Sequence, residues 1–180
     1  MSATIEAIES WVEALPRDVE VVKAVLEADG AHREARKLAA AALAYLVTRM
    51  DLIPDWNETI GVLDDAMVLR VCMDLAVAYE PMPLTSDMQL RLARLSNEVD
   101  LIKELLGADL HAKLRRHCTR LADTAVRGHS PSRVVDDADA RTTLYAEVAT
   151  DLTRVPAASF ARPDDVEPRL RSYLHHKLQR

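Results

Sequence analysis

The stretch YLVTRMDLIPDWNETIGVLDD, residues 45–65, joins two apolar segments and carries five carboxylates. The segment that leads into it, LAAAALAYLV at residues 38–47, contains no charge and is rich in good helix formers. Pro54 has no backbone N–H and restricts the residue before it, so the helix that contains residues 38–47 is expected to end ahead of this position. The stretch therefore predicts a hairpin of two helices, near residues 31–50 and 60–79.

The rest of the chain is also predicted to be helical. Apolar residues recur three and four positions apart along most of its length, and only 4 of the 180 residues are Gly. The N-terminal helix of the chain is expected to stop at Pro16. A longer helix, opened by a capping box of Ser86 and Gln89, is expected to run to Leu106. The sequence predicts an all-α protein, a compact bundle of about seven to eight helices around the central hairpin.

Length and charge limit the possible classes of protein. A chain of 180 residues can bury a core without a metal or a disulfide, and we expect a single helical domain over residues 1–180. The net charge of -6 argues against nucleic-acid binding, which depends on neutralising phosphates. Residues 1–100 have a balance of -9, while residues 101–180, which include a more basic helical part at 108–180, have a balance of +3. The two halves either attract each other, within or between chains, or form solvated helix faces.

The sequence contains no membrane-spanning segment or export signal by pattern. The longest uncharged run in the first half, residues 38–48, has 11 residues, whereas a membrane-spanning helix needs about 20. The first thirteen residues are acidic and periodic, unlike a signal peptide. Cys72 and Cys118 do not form a metal-binding motif and are predicted to be buried thiols. We expect a cytoplasmic protein.

The five carboxylates have a structural interpretation. Asp55 and Glu58 match a capping box, and Asp51 can accept hydrogen bonds from the backbone of the turn that follows it. Asp64 and Asp65 fall at the positive N-terminal end of the second helix. In this interpretation the acids hold the turn of the hairpin, and each contributes about 1 kcal/mol.

The alternative interpretation is a site for a divalent cation. Mg²⁺ and Ca²⁺ prefer oxygen ligands, and a loop followed by a helix can bring together Asp51, Asp55, Asp64 and Asp65. The pattern is not an EF-hand, because the alternating acids and the central Gly are missing.

A helical wheel separates the two acids that open the second helix. Asp64 shares a polar face with Arg70 and Asp74, whereas Asp65 projects towards the apolar side. A carboxylate on an apolar face needs a partner. Asp65 is therefore the residue whose role the structural interpretation explains least.

The quoted stretch resembles the YkvA-like family of domains of unknown function. The family pattern is a Tyr-Leu helix end, then DLIPD, then Gly-x-Leu-Asp-Asp after a short link. The matching residues are Tyr45, Leu46, Asp51, Leu52, Ile53, Pro54, Asp55, Gly61, Leu63, Asp64 and Asp65. The resemblance covers about residues 38–78 and implies a bacterial protein with this hairpin at its core. It transfers no mechanism, because no activity is established for the family.

Members of this family often look membrane-associated, and a similar domain ends some membrane-bound RING-type ubiquitin ligases. In this chain Arg49, Asn57 and Glu58 replace less polar residues of the pattern, and Arg70 and Asp74 interrupt the second helix. These polar replacements favour a hairpin that is covered by other helices of the same protein.

Together these observations predict a soluble, non-enzymatic helical protein that has no cofactor and acts through an unknown protein partner or through self-association. Two alternatives stay open. One is a divalent-cation-binding protein or metal-dependent enzyme that holds Mg²⁺ or Ca²⁺ with the four Asp residues. The other is a peripheral protein at a membrane surface.

Overall fold

The structure is a computed structural model that describes residues 3–48, 52–53, 60–155 and 163–179. These ranges contain nine α-helices and no strand, apart from an isolated bridge between Val126 and His129. The helices are α1 (Ala3–Glu27), α2 (Arg33–Leu46), α3 (Leu63–Val77), α4 (Ser86–Asn97), α5 (Val99–Leu106), α6 (Ala108–Leu121), α7 (Pro131–Asp136), α8 (Ala138–Leu152) and α9 (Pro163–Lys177). The prediction of an all-α fold is confirmed, with slightly more helices than the seven to eight expected.

The predicted hairpin consists of α2 and α3, which pack against each other more extensively than any other two helices. Helix α2 is buried on all sides, since Ala35 and every residue from 37 to 46 are buried. Four consecutive alanines, at positions 39–42, point in directions about 100° apart and so face all sides of the helix. Their small side chains let neighbouring helices approach closely, and α1, α3, α6, α7 and α8 all contact α2.

The core is continuous and includes charged positions. Buried hydrophobic side chains from all nine helices belong to one cluster. Helix α3 is buried at every position from 63 to 73, including Asp64, Asp65 and Arg70. Ionisable groups at such positions require hydrogen-bonding or ionic partners, because burial removes them from water.

Helix α1 passes through Pro16 without a break, so the prediction that the first helix stops there is wrong. Pro16 itself is exposed, and Trp11, Leu15, Val19 and Val22 bury one continuous stripe on both sides of it. A proline inside a helix costs about 3 kcal/mol. Burying each large apolar side chain contributes about 1.5–3 kcal/mol, so packing of the stripe outweighs the loss at Pro16.

The single helix predicted from Ser86 to Leu106 is two helices, α4 and α5, which meet at Glu98. The predicted capping box is also wrong, because the residue that caps α4 is Thr85. Its hydroxyl accepts a hydrogen bond from the backbone N–H of Met88 at 3.4 Å. At this junction the Glu98 side chain accepts hydrogen bonds from Arg70 of α3 and Arg94 of α4.

Among the described residues, three large hydrophobic side chains are exposed, and all of them lie between positions 77 and 90: Val77, Tyr79 and Leu90. No helix in the described ranges has both the length and the apolar character needed to cross a membrane.

Candidate functional site

The start of the hairpin turn contains a buried hydrogen bond between the two helices. Tyr45 lies in the last turn of α2, and Asp64 lies in the first turn of α3. The Tyr45 hydroxyl donates to Asp64 Oδ2 at 2.7 Å. Both side chains are almost fully buried, so this bond is protected from competition by water.

Two backbone N–H groups of the turn donate hydrogen bonds to these same two side chains. The N–H of Leu52 donates to the Tyr45 hydroxyl oxygen at 3.0 Å, and the N–H of Ile53 donates to Asp64 Oδ2 at 3.1 Å. Leu52 and Ile53 are both buried, where an unbonded N–H is unfavourable. Tyr45 and Asp64 therefore hold residues 52–53 between the ends of α2 and α3. We refer to these four residues as the turn cluster.

Helix α6 covers one side of the turn cluster. The ring of His117 meets the ring of Tyr45 edge to face, with 6.2 Å between centroids and 82° between planes. Burial lowers the pKa of His117, and the nearby Arg120 lowers it further. Sequence reasoning missed this histidine, because it lies in the basic run KLRRHCTR at residues 113–120, which looks like a solvated face.

The remaining candidate residues fall into two groups. Gly61 and Asp65 are both buried, Gly61 in the turn before α3 and Asp65 in the first turn of that helix. Asp51, Pro54 and Asp55 lie outside the described residues. Of the four candidate cation ligands, the structure thus describes Asp64 and Asp65, and within the described ranges no three His, Cys, Asp or Glu side chains form a possible metal site.

The hairpin is also the part of the chain that comparison with protein families recognises. Residues 35–70 match the family model described as Protein of unknown function (DUF1232). This DUF1232 segment, residues 35–70, is a fifth of the chain, and the match is consistent with the YkvA-like resemblance seen in the sequence. Comparison with curated proteins gave no match. Comparison with solved structures gave none either.

The DUF1232 segment ends at Arg70, whose guanidinium group is fully buried. Arg70 Nη2 donates to Asp18 Oδ2 of α1 at 2.9 Å, and Nε donates to Glu98 Oε2 at 2.6 Å. Its Nη1 donates to the carbonyl oxygen of Ala66 at 3.1 Å, and the Trp11 ring lies 4.8 Å from its Cζ atom. All three guanidinium nitrogens therefore have partners within the protein.

Arg94 of α4 closes these contacts into a ring of alternating charges. It donates to Glu98 Oε1 at 2.9 Å and, through Nη2, to Asp18 Oδ1. Burial lowers the pKa of Arg70 despite its carboxylate partners. Burial acts in the same direction on Arg94, but Asp18 and Glu98 outweigh it and raise the pKa of that side chain. We refer to this group of four side chains as the ionic ring: Asp18, Arg70, Arg94 and Glu98. It connects α1, α3 and the junction of α4 and α5.

The structure does not bring together the polar face predicted for α3. Asp64 belongs to the turn cluster, Arg70 belongs to the ionic ring, and Asp74 accepts hydrogen bonds from Ser96 (2.6 Å) and Arg115. The three side chains thus have separate sets of partners, although Arg70 and Asp74 both reach the end of α4.

Sequence reasoning also missed Asp18, although one feature indicates it. Asp18 lies seven positions after Trp11 and therefore on the same, apolar face of α1.

In both the turn cluster and the ionic ring, the hydrogen bonds described join protein groups to one another. These buried polar and charged side chains therefore connect helices to one another.

Proposed function

We propose that this chain is a cytoplasmic, non-enzymatic helical protein that acts by self-association, with a second copy of the chain as its partner. The observation that supports this most directly is the concentration of exposed apolar side chains in residues 77–90, the 77–90 segment. Leu90 is 73% exposed, Val77 41% and Tyr79 37%. Half-buried Met82, Leu84 and Met88 lie in the same segment, so apolar surface extends beyond the three exposed residues.

Charge favours a second copy as the partner. The 77–90 segment contains two acids, Glu80 and Asp87, and no Lys or Arg. The later helices expose basic side chains, among them Arg116 and Arg120 of α6 and Lys177 of α9. An acidic, apolar segment of one copy is therefore complementary to the basic helices of another, as the opposite charge balances of the two halves also suggest.

The buried polar residues support association rather than catalysis. Tyr45 and Asp64 bind each other and the turn, and Arg70 binds Asp18 and Glu98. Side chains committed to such bonds contribute to a rigid scaffold, which presents a surface at low entropic cost.

Molar mass measured by light scattering during gel filtration tests the proposal. At low salt the mass is expected to rise with concentration from the 20.0 kDa of one chain towards twice that value, and to fall when salt screens the charges. Leu90→Asp should suppress the rise. Thr142→Asp, which adds the same charge at an exposed position of α8, is the matched control and should not. A constant 20.0 kDa at every concentration, or equal effects of the two variants, would show that the proposal is wrong.

A further inference from the structure

Helix α6 carries two histidines with ring nitrogens that are buried and form no hydrogen bond within the described part of the protein, His111 and His117. His111 is 8% exposed as a residue. His117 is half-buried against Tyr45 of α2. A neutral imidazole tolerates such a position, but a charged one loses hydration that nothing at its Nε2 atom replaces.

The charged groups around His111 do not favour its protonation. Burial is the largest effect on its pKa and lowers it. Arg115 on the same helix and Lys103 on α5 lower the pKa further, whereas Asp74 of α3 and Asp100 of α5 act in the opposite direction. The net pKa remains below the ordinary value for histidine, because burial and the two cations together outweigh the two carboxylates.

The surroundings of His117 also disfavour a positive charge. From α2 it meets the ring of Tyr45, whose hydroxyl proton is directed to Asp64 of α3. From its own helix Arg120 adds a like charge.

We propose that α6 is an acid-released helix: below about pH 6, protonation of His111 and His117 detaches it from α2, α3 and α5. Release uncovers the apolar face of α6, including Leu110 and Leu114, together with the thiols of Cys72 and Cys118. The chain would then present, in mildly acidic surroundings, an apolar surface that it keeps buried at neutral pH.

The direction and size of the effect follow from linkage. An unfolded or released histidine has a pKa of about 6.5, and both folded values are lower. The stabilising contribution of the neutral rings is therefore complete above about pH 6.5 and is lost as the pH falls below it. At about pH 5.5 protonation of each ring multiplies the equilibrium constant for release by at most about 11. Two independent rings therefore multiply it by at most about 120.

The buried thiols provide a probe of release. Cys72 and Cys118 are both 0% exposed, so their reaction with 4,4′-dithiodipyridine requires opening of the interface between α3 and α6. We would measure labelling of the intact protein at about pH 7.5 and about pH 5.5, dividing each rate by that of glutathione at the same pH. The normalised rate of the wild type is expected to rise, by at most about 120-fold.

Two variants separate histidine protonation from other effects of acid. The double variant His111→Gln/His117→Gln should lose most of the rise. His176→Gln, which removes an exposed histidine of α9, should keep it. An absent rise in the wild type, or an equal rise in the double variant, would overturn the proposal.

Hydrogen exchange of the wild type followed by mass spectrometry provides a test that needs no variant. After correction for the pH dependence of intrinsic exchange, peptides of α6 should lose protection at about pH 5.5 while peptides of α2 keep theirs. Equal loss in α6 and α2 would indicate unfolding of the whole protein, and the proposal would then be wrong.

Discussion

Replacing Tyr45 by Phe tests whether the turn cluster holds the hairpin. The substitution keeps the ring and removes only the hydroxyl group. That hydroxyl donates to Asp64 Oδ2 at 2.7 Å and accepts from the N–H of Leu52 at 3.0 Å. The variant therefore loses one hydrogen bond to a buried carboxyl group and leaves one buried N–H without its acceptor.

The expected loss can be estimated from these two bonds. A hydrogen bond to a charged group contributes about 1.5–3 kcal/mol, and a buried donor without a partner costs about 1–3 kcal/mol. Allowing for partial relaxation, we expect Tyr45→Phe to lower the free energy of unfolding by about 3 kcal/mol. For a chain of this length, that corresponds to a fall in Tm of about 6–12 °C.

Urea denaturation followed by far-ultraviolet circular dichroism measures this change, provided that the slope against urea concentration is the same in both proteins. Tyr79→Phe is the matched control, because it removes the hydroxyl of a tyrosine that is 37% exposed and should change the free energy by less than about 0.5 kcal/mol. A loss below about 1 kcal/mol for Tyr45→Phe would refute the view that this hydroxyl holds the turn.

Three further predictions concern the ionic ring, the cap of α4 and the predicted cation site. Arg70→Met should lower the free energy of unfolding by about 3–5 kcal/mol in urea denaturation, because it removes the buried partner of Asp18, and adding Asp18→Asn should restore part of the loss. Thr85→Ala should cost about 1 kcal/mol in the same assay, because it removes the acceptor for the N–H of Met88. In thermal denaturation, millimolar Mg²⁺ or Ca²⁺ should leave the Tm of the wild type and of Asp65→Asn unchanged.

The opposite results would be equally informative. If Asp18→Asn and Arg70→Met have additive effects, the two side chains do not stabilise each other, and the ring is not a unit. No loss in Thr85→Ala would mean that water caps α4 equally well. A wild-type Tm that rises by several degrees with Mg²⁺, together with an Asp65→Asn variant that does not respond, would establish the cation site.

The hairpin was predictable because its determinants are local. An uncharged run rich in alanine, a proline that predicts a break in the helix, and a Gly-x-Leu-Asp-Asp sequence that opens α3 all lie within residues 38–65. The ionic ring was not predictable in this way. Arg70 finds its partners 52 and 28 positions away, and helical periodicity within α3 contains no information about them.

The wrong helix boundaries have a related physical cause. Pro16 is a strong local stop for a helix, yet burial of Trp11 and Leu15 on one side and Val19 on the other keeps α1 continuous. The periodic pattern predicted no break at Glu98, where the carboxylate binds Arg70 and Arg94. At Pro16 packing against other parts of the chain outweighs the preference of the nearby residues, and at Glu98 the end of one helix coincides with an ion pair to a distant helix.

The four alanines of α2 have a consequence for how this sequence can change over time. Because positions 39–42 are buried and face all sides of the helix, a larger side chain at any of them meets a packed neighbour. Overpacking of this kind typically costs about 1–3 kcal/mol. A helix with an exposed face can exchange the residues on that face freely, whereas α2 has no such face. We therefore expect mutational tolerance to be lowest in α2 and to increase towards α4 and α9, so that related chains diverge most at the periphery.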